Sequence, residues 1–432
     1  VARALPDGDT VAVLGGPLKA PVLDLLSLSE ATVTTLPIPG PFDTMTPSPE
    51  GDYLVLTYSA TGRIPGLAAR NLNEIAVVSP ASQRVVRMQL DTESLAPRMV
   101  VFAPTTAWRR LVAVGLDRGV AVFDPLDPVT PARRIALRPA GSVAETSVLQ
   151  AVFSADGHWL YVRASGVDDV IVIDLRDTAG SREISASVNF VAGGTGLTDI
   201  EVPDIAELPN AVLAVYSGSR EAVLLDARGL EDNVVRLPLA DPLTDAQFLN
   251  GRAIISDSRY RTVVAWDPLA KLSGSAVLDA GFDVRLFSKR LGRALFGHPN
   301  IGGGGSSLSV VSVESQETRL RVKLQSIQLT LPAATATLDD LGERLFFVGR
   351  NDVTLVGLNL RTLELSQVTL DQSASAVLYL PQNDRLAVVH ADNEFGDVTL
   401  LPAGQLDRAA AVRVRDFVLT ADLDRPYEEG SP

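Results

Sequence analysis

The chain has three histidines and no cysteine in 432 residues, so any chemistry it performs must come mainly from carboxylates, hydroxyls and arginines. The lack of cysteine removes disulfides, thiolate zinc sites, iron–sulfur clusters and thiol nucleophiles. His158, His298 and His390 lie in three distant stretches, which argues against a histidine-rich metal centre, and a Ser–His–Asp triad would have to use one of them. His298 opens a stretch containing Asn300 and the run Gly302 to Gly305. No Lys-Ser/Thr pair follows that run, so it reads as a loop and not as a phosphate cradle. His390 precedes Asp392, Asn393 and Glu394, with Asp397 nearby. These are oxygen donors suited to calcium, but they lack the alternating spacing of an EF-hand with Glu at position 12, so a plain polar loop is the competing reading. Arg63 and Arg70 mark a third long polar stretch, 59–71.

Five aspartates, Asp43, Asp199, Asp245, Asp283 and Asp416, recur just where a short apolar strand begins. Gathered together they would form an acidic rim suited to a cation or a basic segment. Each could equally cap a turn through its own backbone. Carboxylates held close together would raise one another's pKa and would need a counter-charge.

The net charge of −14 and pI near 4.8 disfavour nucleic acid and simple docking on anionic lipid. Apolar residues make up 46% and charged ones 21%, which supplies a large core and argues against disorder. No apolar run approaches the ~20 residues of a membrane helix. The count of 34 arginines to 4 lysines fits a GC-rich bacterial coding bias. A chain opening on Val1 leads to the expectation that it begins after processing or truncation, and a removed signal peptide or a lipid anchor upstream of Val1 is compatible with that.

The elements that position these residues repeat. A short apolar strand ending in a small polar or acidic residue recurs nine times, from Leu25–Ser29 and Ile75–Ser79, through Val120–Asp124, Val170–Asp174, Ala222–Asp226 and Val263–Asp267, to Val310–Glu314, Leu355–Asn359 and Val398–Pro402. The steps between copies run from 41 to 52 residues. That is the length of a four-stranded propeller blade. The clearest copy continues Leu149–Phe153, the turn Ser154-Ala155-Asp156-Gly157, and Trp159–Val162; Ser48-Pro49-Glu50-Gly51 repeats the turn. The expected fold is all-β: a single closed propeller of nine repeats over 1–432, eight being the other acceptable count. The repeats fall at 9–38 plus 416–424, 42–90, 98–137, 149–190, 199–239, 243–280, 282–328, 334–370 and 374–415. The first repeat shows three strands and residues 416–420 one spare, so N- and C-terminal strands are expected to pair and close the ring.

A strand, Ser-x-Asp/Glu-Gly, a second strand and a third ending in Asp resembles the YVTN-type and lactonase-type repeats of bacterial propellers, and distantly WD repeats; Trp266-Asp267 is the one Trp-Asp pair. The fold itself hosts many activities. The expected function is non-catalytic: a protein-binding scaffold in a bacterial extracytoplasmic assembly, periplasmic or at the cell surface. It takes no metal and no cofactor, and binds through one loop face bearing Arg63, Arg70, His298, Asn300, His390, Asp392, Asn393 and Glu394. The alternative implied by the resemblance is a lactonase-like hydrolase using His298, His390, Arg261 and the acidic rim. A quinone-cofactor dehydrogenase is a third class, disfavoured because the chain's three Trp form no recurring docking motif.

Overall fold

A computed structural model describes residues 2–16, 20–27, 30, 32–58, 72–91, 97–139, 145–177, 184–227, 234–298, 306–329, 331, 335–339, 341–349, 352–390 and 397–414. It is an all-β structure, a nine-bladed β-propeller. Each blade is one four-stranded sheet whose strands a, b, c and d follow in chain order. The blades span 2–37, 44–89, 97–135, 148–191, 197–238, 245–277, 284–329, 335–369 and 374–414.

Strands b and c of most blades are apolar runs buried on both faces. Ala211–Tyr216 and Val120–Phe123 are buried at every position. A run of four to eight apolar residues with no alternation is what a strand covered on both sides requires. The outer strand d instead alternates, as in Ile184–Val191, because its outward face meets water.

By contacts the chain forms two compact units: residues 1–87, 299–308 and 327–432, and residues 88–298 with 309–326. In the first unit, apolar clusters join blade 8 to 9, blade 9 to 1 and blade 1 to 2. In the second, clusters join blades 3 to 4, 4 to 5, 5 to 6 and 6 to 7.

The first blade departs from expectation. Its strand a is Ala2–Ala4, paired antiparallel to Thr10–Gly15, so the blade is complete without a strand from the far end. Residues 416–420 lie outside the described residues. Blades 9 and 1 meet by side-chain packing, with Val11, Val13 and Leu26 against Leu380, Ala387, Val398 and Leu400. Asn383 Nδ2 also donates to Asp9 Oδ1 at 3.2 Å.

The reason is a turn. In Leu5-Pro6-Asp7-Gly8, Gly8 N donates to Leu5 O at 3.0 Å and Leu5 N to Thr10 O at 2.8 Å. The same geometry closes Ser48-Pro49-Glu50-Gly51 and Ser154-Ala155-Asp156-Gly157, where Gly51 N and Gly157 N donate to Ser48 O and Ser154 O, each at 3.0 Å. Gly8 has φ +70° and Gly157 +73°, a region open to glycine at little steric cost. Pro-Asp-Gly after Leu5 was therefore another copy of the a–b turn, and it announces a strand on its N-terminal side.

Candidate functional site

In blades 4 to 7 strand a carries polar residues that meet one another across blades. In blade 5, strand a is Leu197–Glu201; in blade 6, Asp245–Leu249; in blade 7, Val284–Ser288. Alternation puts Asp199 and Glu201 on one face, and Asp245 and Gln247 on one face.

Asp199 is buried and accepts three bonds. Its Oδ1 takes Gln150 Nε2 from blade 4 at 2.6 Å and its own neighbour Ile200 N at 3.0 Å. Its Oδ2 takes Ala246 N from blade 6 at 2.6 Å. Gln150 Nε2 also donates to Ile200 O at 2.8 Å, and Gln150 Oε1 accepts from Ile200 N and Arg163 Nε, each at 3.2 Å. One carboxylate and one amide thus tie the inner strands of three consecutive blades.

Two residues further on, Gln247 Nε2 donates to Glu201 Oε1 at 2.9 Å. Arg285 lies 3.8 Å from Asp245 and donates to Ser256 Oγ at 3.3 Å. Desolvation raises the pKa of Asp199 against the bonds from Ala246 and Gln150. Desolvation, then the Asp199 charge, pushes Glu201 up to about 7, opposed by Lys289 and Arg285. Burial lowers Arg163, opposed by Asp199 and Asp245. The cluster can therefore exchange one proton near neutrality at Glu201, while its other polar atoms hold strands together.

Two of the three histidines are framework residues. His298 and His390 were expected in loops and instead end strand b of blades 7 and 9. Both are buried, at 5% and 2% exposure. His298 Nδ1 meets Gly281 O at 2.8 Å and Nε2 meets Ser309 Oγ at 2.6 Å. His390 repeats this with Ser373 O at 3.1 Å and Thr399 Oγ1 at 2.7 Å. An imidazole oriented at Nδ1 and bonded to a hydroxyl at Nε2 has the form of an activated nucleophile. Ser309 is fully buried, however, so that hydroxyl cannot reach a substrate. Burial, with the Arg413 charge, lowers the His390 pKa against its bond to Ser373 O. His158 lies in an exposed turn, stacked on Trp108 with ring centroids 5.3 Å apart.

The remaining rim acids take separate roles. Asp43 precedes strand a of blade 2; its N donates to Thr57 O at 3.2 Å and its Oδ1 accepts from Thr44 Oγ1 at 3.3 Å. Asp283 is exposed, and its N donates to Gly297 O at 3.0 Å. Asp245 Oδ2 accepts from Thr244 Oγ1 at 3.0 Å. Arg63, Arg70, Asn300, Asp392, Asn393, Glu394 and Asp416 lie outside the described residues. Asp397 is fully buried and ion-paired with Arg413. Among the described residues no group of three or more His, Asp or Glu could hold a metal ion.

Sequence reading missed Gln150, Arg163, Glu201, Gln247 and Arg285. The signal available was polar residues alternating with apolar ones inside a short strand, at nearly the blade period: 49 residues separate Gln150 from Asp199, and 46 separate Glu201 from Gln247.

No family model matches the chain, and no curated protein does. Among solved structures it is similar to the dihydro-heme d1 dehydrogenase NirN in complex with DHE, with a TM-score of 0.56 and 14% identity over 98% of this chain and 77% of that one. It is similar to a eukaryotic initiation factor at TM-score 0.56 and 9% identity, covering 93% of this chain and 95% of that one. The WD40 domain of SCAP from fission yeast follows at TM-score 0.46 and 10% identity, covering 90% and 92%. At such identities the likeness is one of fold.

Proposed function

We propose that the chain is a non-catalytic protein-interaction propeller, a scaffold in a bacterial extracytoplasmic assembly related to the YVTN- and lactonase-type propellers. The observation that carries this reading is the fate of the reactive side chains. His298 and His390, the acid–base candidates of a hydrolase, are buried and each bonds a carbonyl and a hydroxyl, and Ser309, the hydroxyl partner of His298, is itself fully buried. Asp199 takes its bonds from the framework. A hydrolytic site needs a nucleophile, a base and an oxyanion donor converging on one accessible point, with the base oriented by a third group. The His298–Ser309 pair has the orientation without the access.

The test is to purify the chain from its native host under gentle lysis, and to measure the mass of the recovered species by light scattering. The expected result is a complex of defined stoichiometry that survives gel filtration and protects about 800 Å² or more of propeller surface from exchange. Recovery solely as a free monomer overturns the proposal. So does saturable lactone hydrolysis that disappears in Ser309→Ala.

A further inference from the structure

The charges on the a–b and c–d turns of blades 6 and 7 run against the rest of the chain. In blade 6, strand b begins at Arg252, and Lys271 sits in the c–d turn. In blade 7 the a–b turn carries Lys289 and Arg290, and strand b begins at Arg293. Strand d of blade 7, Leu320–Leu329, follows Arg319 and holds Arg321 and Lys323. That is eight cationic side chains at one end of two neighbouring blades. The acids there are Asp204, which accepts from Asn250 N and Gly251 N in the a–b turn of blade 6, with Asp267, Glu317 and Glu314, the last ion-paired with Lys323, in a chain of net charge −14. Three of the four lysines in the protein are among the eight.

The surface is built and held. Asn250 Nδ2 donates to Lys289 O at 2.7 Å, joining the turn of blade 6 to that of blade 7. Arg252 donates to Val313 O at 3.1 Å and Ser315 Oγ at 2.7 Å. Strands c and d of blade 7 are ten residues each, Ser306–Ser315 and Leu320–Leu329, about 33 Å of extended chain. Along strand d, Arg321, Lys323 and Gln325 point outward, while Val322 and Leu324 pack on the blade 6–7 core. An open cleft of about 550 Å³ lies here, lined by Arg293, Ser312, Glu314, Arg321, Lys323 and Gln325.

We infer that this edge is the docking surface for an acidic polypeptide segment of the partner, an inference that rests on the protein-interaction reading above. Guanidinium forks pair with carboxylates in two parallel bonds, so arginine suits this recognition. The strip covers only two blades. A long polyanion such as a nucleic acid would run off it onto the acidic remainder and be repelled, whereas a short acidic segment fits within it.

The test uses a fluorescein-labelled deca-glutamate peptide, read by anisotropy. The chain is expected to bind it at low salt and to lose about tenfold in affinity on going from about 50 to about 500 mM NaCl, as screening shortens the reach of the charges. Arg321→Glu with Lys323→Glu is expected to weaken binding about tenfold or more. Arg3→Glu with Arg84→Glu, the same charge change at exposed positions elsewhere, is expected to change it by less than about twofold. Circular dichroism and melting of both double variants establish that they are folded. Equal loss in both pairs, absence of peptide binding at low salt, or tighter binding of a short DNA duplex each overturns the inference. If a native complex is recovered but its cross-links avoid blades 6 and 7, the inference fails while the interaction reading stands. If no complex forms, that reading fails.

Discussion

Replacing Glu201 by Gln tests the electrostatics of the inner strands directly. Gln keeps an oxygen for Gln247 Nε2 and removes the charge. The Glu201 carboxyl is raised from 4.5 to about 7, first by desolvation and then by Asp199. The sign follows from proton binding. Below pH 4.5 the group is protonated both folded and unfolded and has no differential effect. Between 4.5 and about 7 the unfolded chain has released the proton while the folded one retains it, so stability falls as pH rises. At 1.36 kcal/mol per pKa unit the full penalty is about 3 kcal/mol, reached above neutrality. Spread over the unfolding entropy of a chain this long, it corresponds to about 3 °C in Tm. Thermal melts of wild type and Glu201→Gln are expected to coincide near pH 4. The variant is expected to melt higher by about 3 °C near pH 8.5, with the gap opening across the window between. A gap that is the same at both pH values refutes the claim that a retained proton on Glu201 is what burial imposes.

Three further outcomes follow from the geometry. Ser309→Ala removes the partner of His298 Nε2 in a buried site and is expected to cost about 1–3 kcal/mol in urea unfolding. A double-mutant cycle with His298→Phe should show coupling of about 1 kcal/mol, and additivity would mean that the bond does not stabilise the blade. Gly8→Ala forces a Cβ onto a residue at φ +70° and is expected to lower stability by about 1–2 kcal/mol. A neutral result there would remove the a–b turn from blade 1 and with it the role of Ala2–Ala4. His390, its pKa lowered by burial, stays neutral when folded while the unfolded imidazole takes a proton near its usual 6.5. Stability is therefore full above that pH and falls below it; His390→Gln is expected to flatten this part of the pH profile of Tm.

The parts of the molecule that could be read early were those written locally. Each strand c is a run of apolar residues between turn signals, and nine of them at blade spacing left little choice of architecture. The Ser154–Gly157 turn could be read because Ser, Asp and Gly each act on backbone two to five residues away, as in Trp159 N to Ser154 Oγ at 3.0 Å. The first strand was missed because Ala2–Ala4 is too short to show a period, although Pro6-Asp7-Gly8 carried its turn. His298 and His390 were expected in loops and instead close strand b, buried, because a strand's last residue cannot be told from the loop's first by local sequence.

Local chemistry along the chain was enough to specify four-stranded units, their number as nine or eight, and most of their turns, since hydrogen bonds and alternation within a blade act over a few residues. What polar side chains do was decided by folding. Asp199 meets Gln150 and Ala246 only because blades 4, 5 and 6 stack with their inner strands adjacent. His298 meets Gly281 and Ser309 only because strands b and c of blade 7 lie side by side with the chain entering blade 7. A charge or an imidazole has no fixed role until its neighbours and its distance from water are set, and those neighbours arrive from residues tens of positions away.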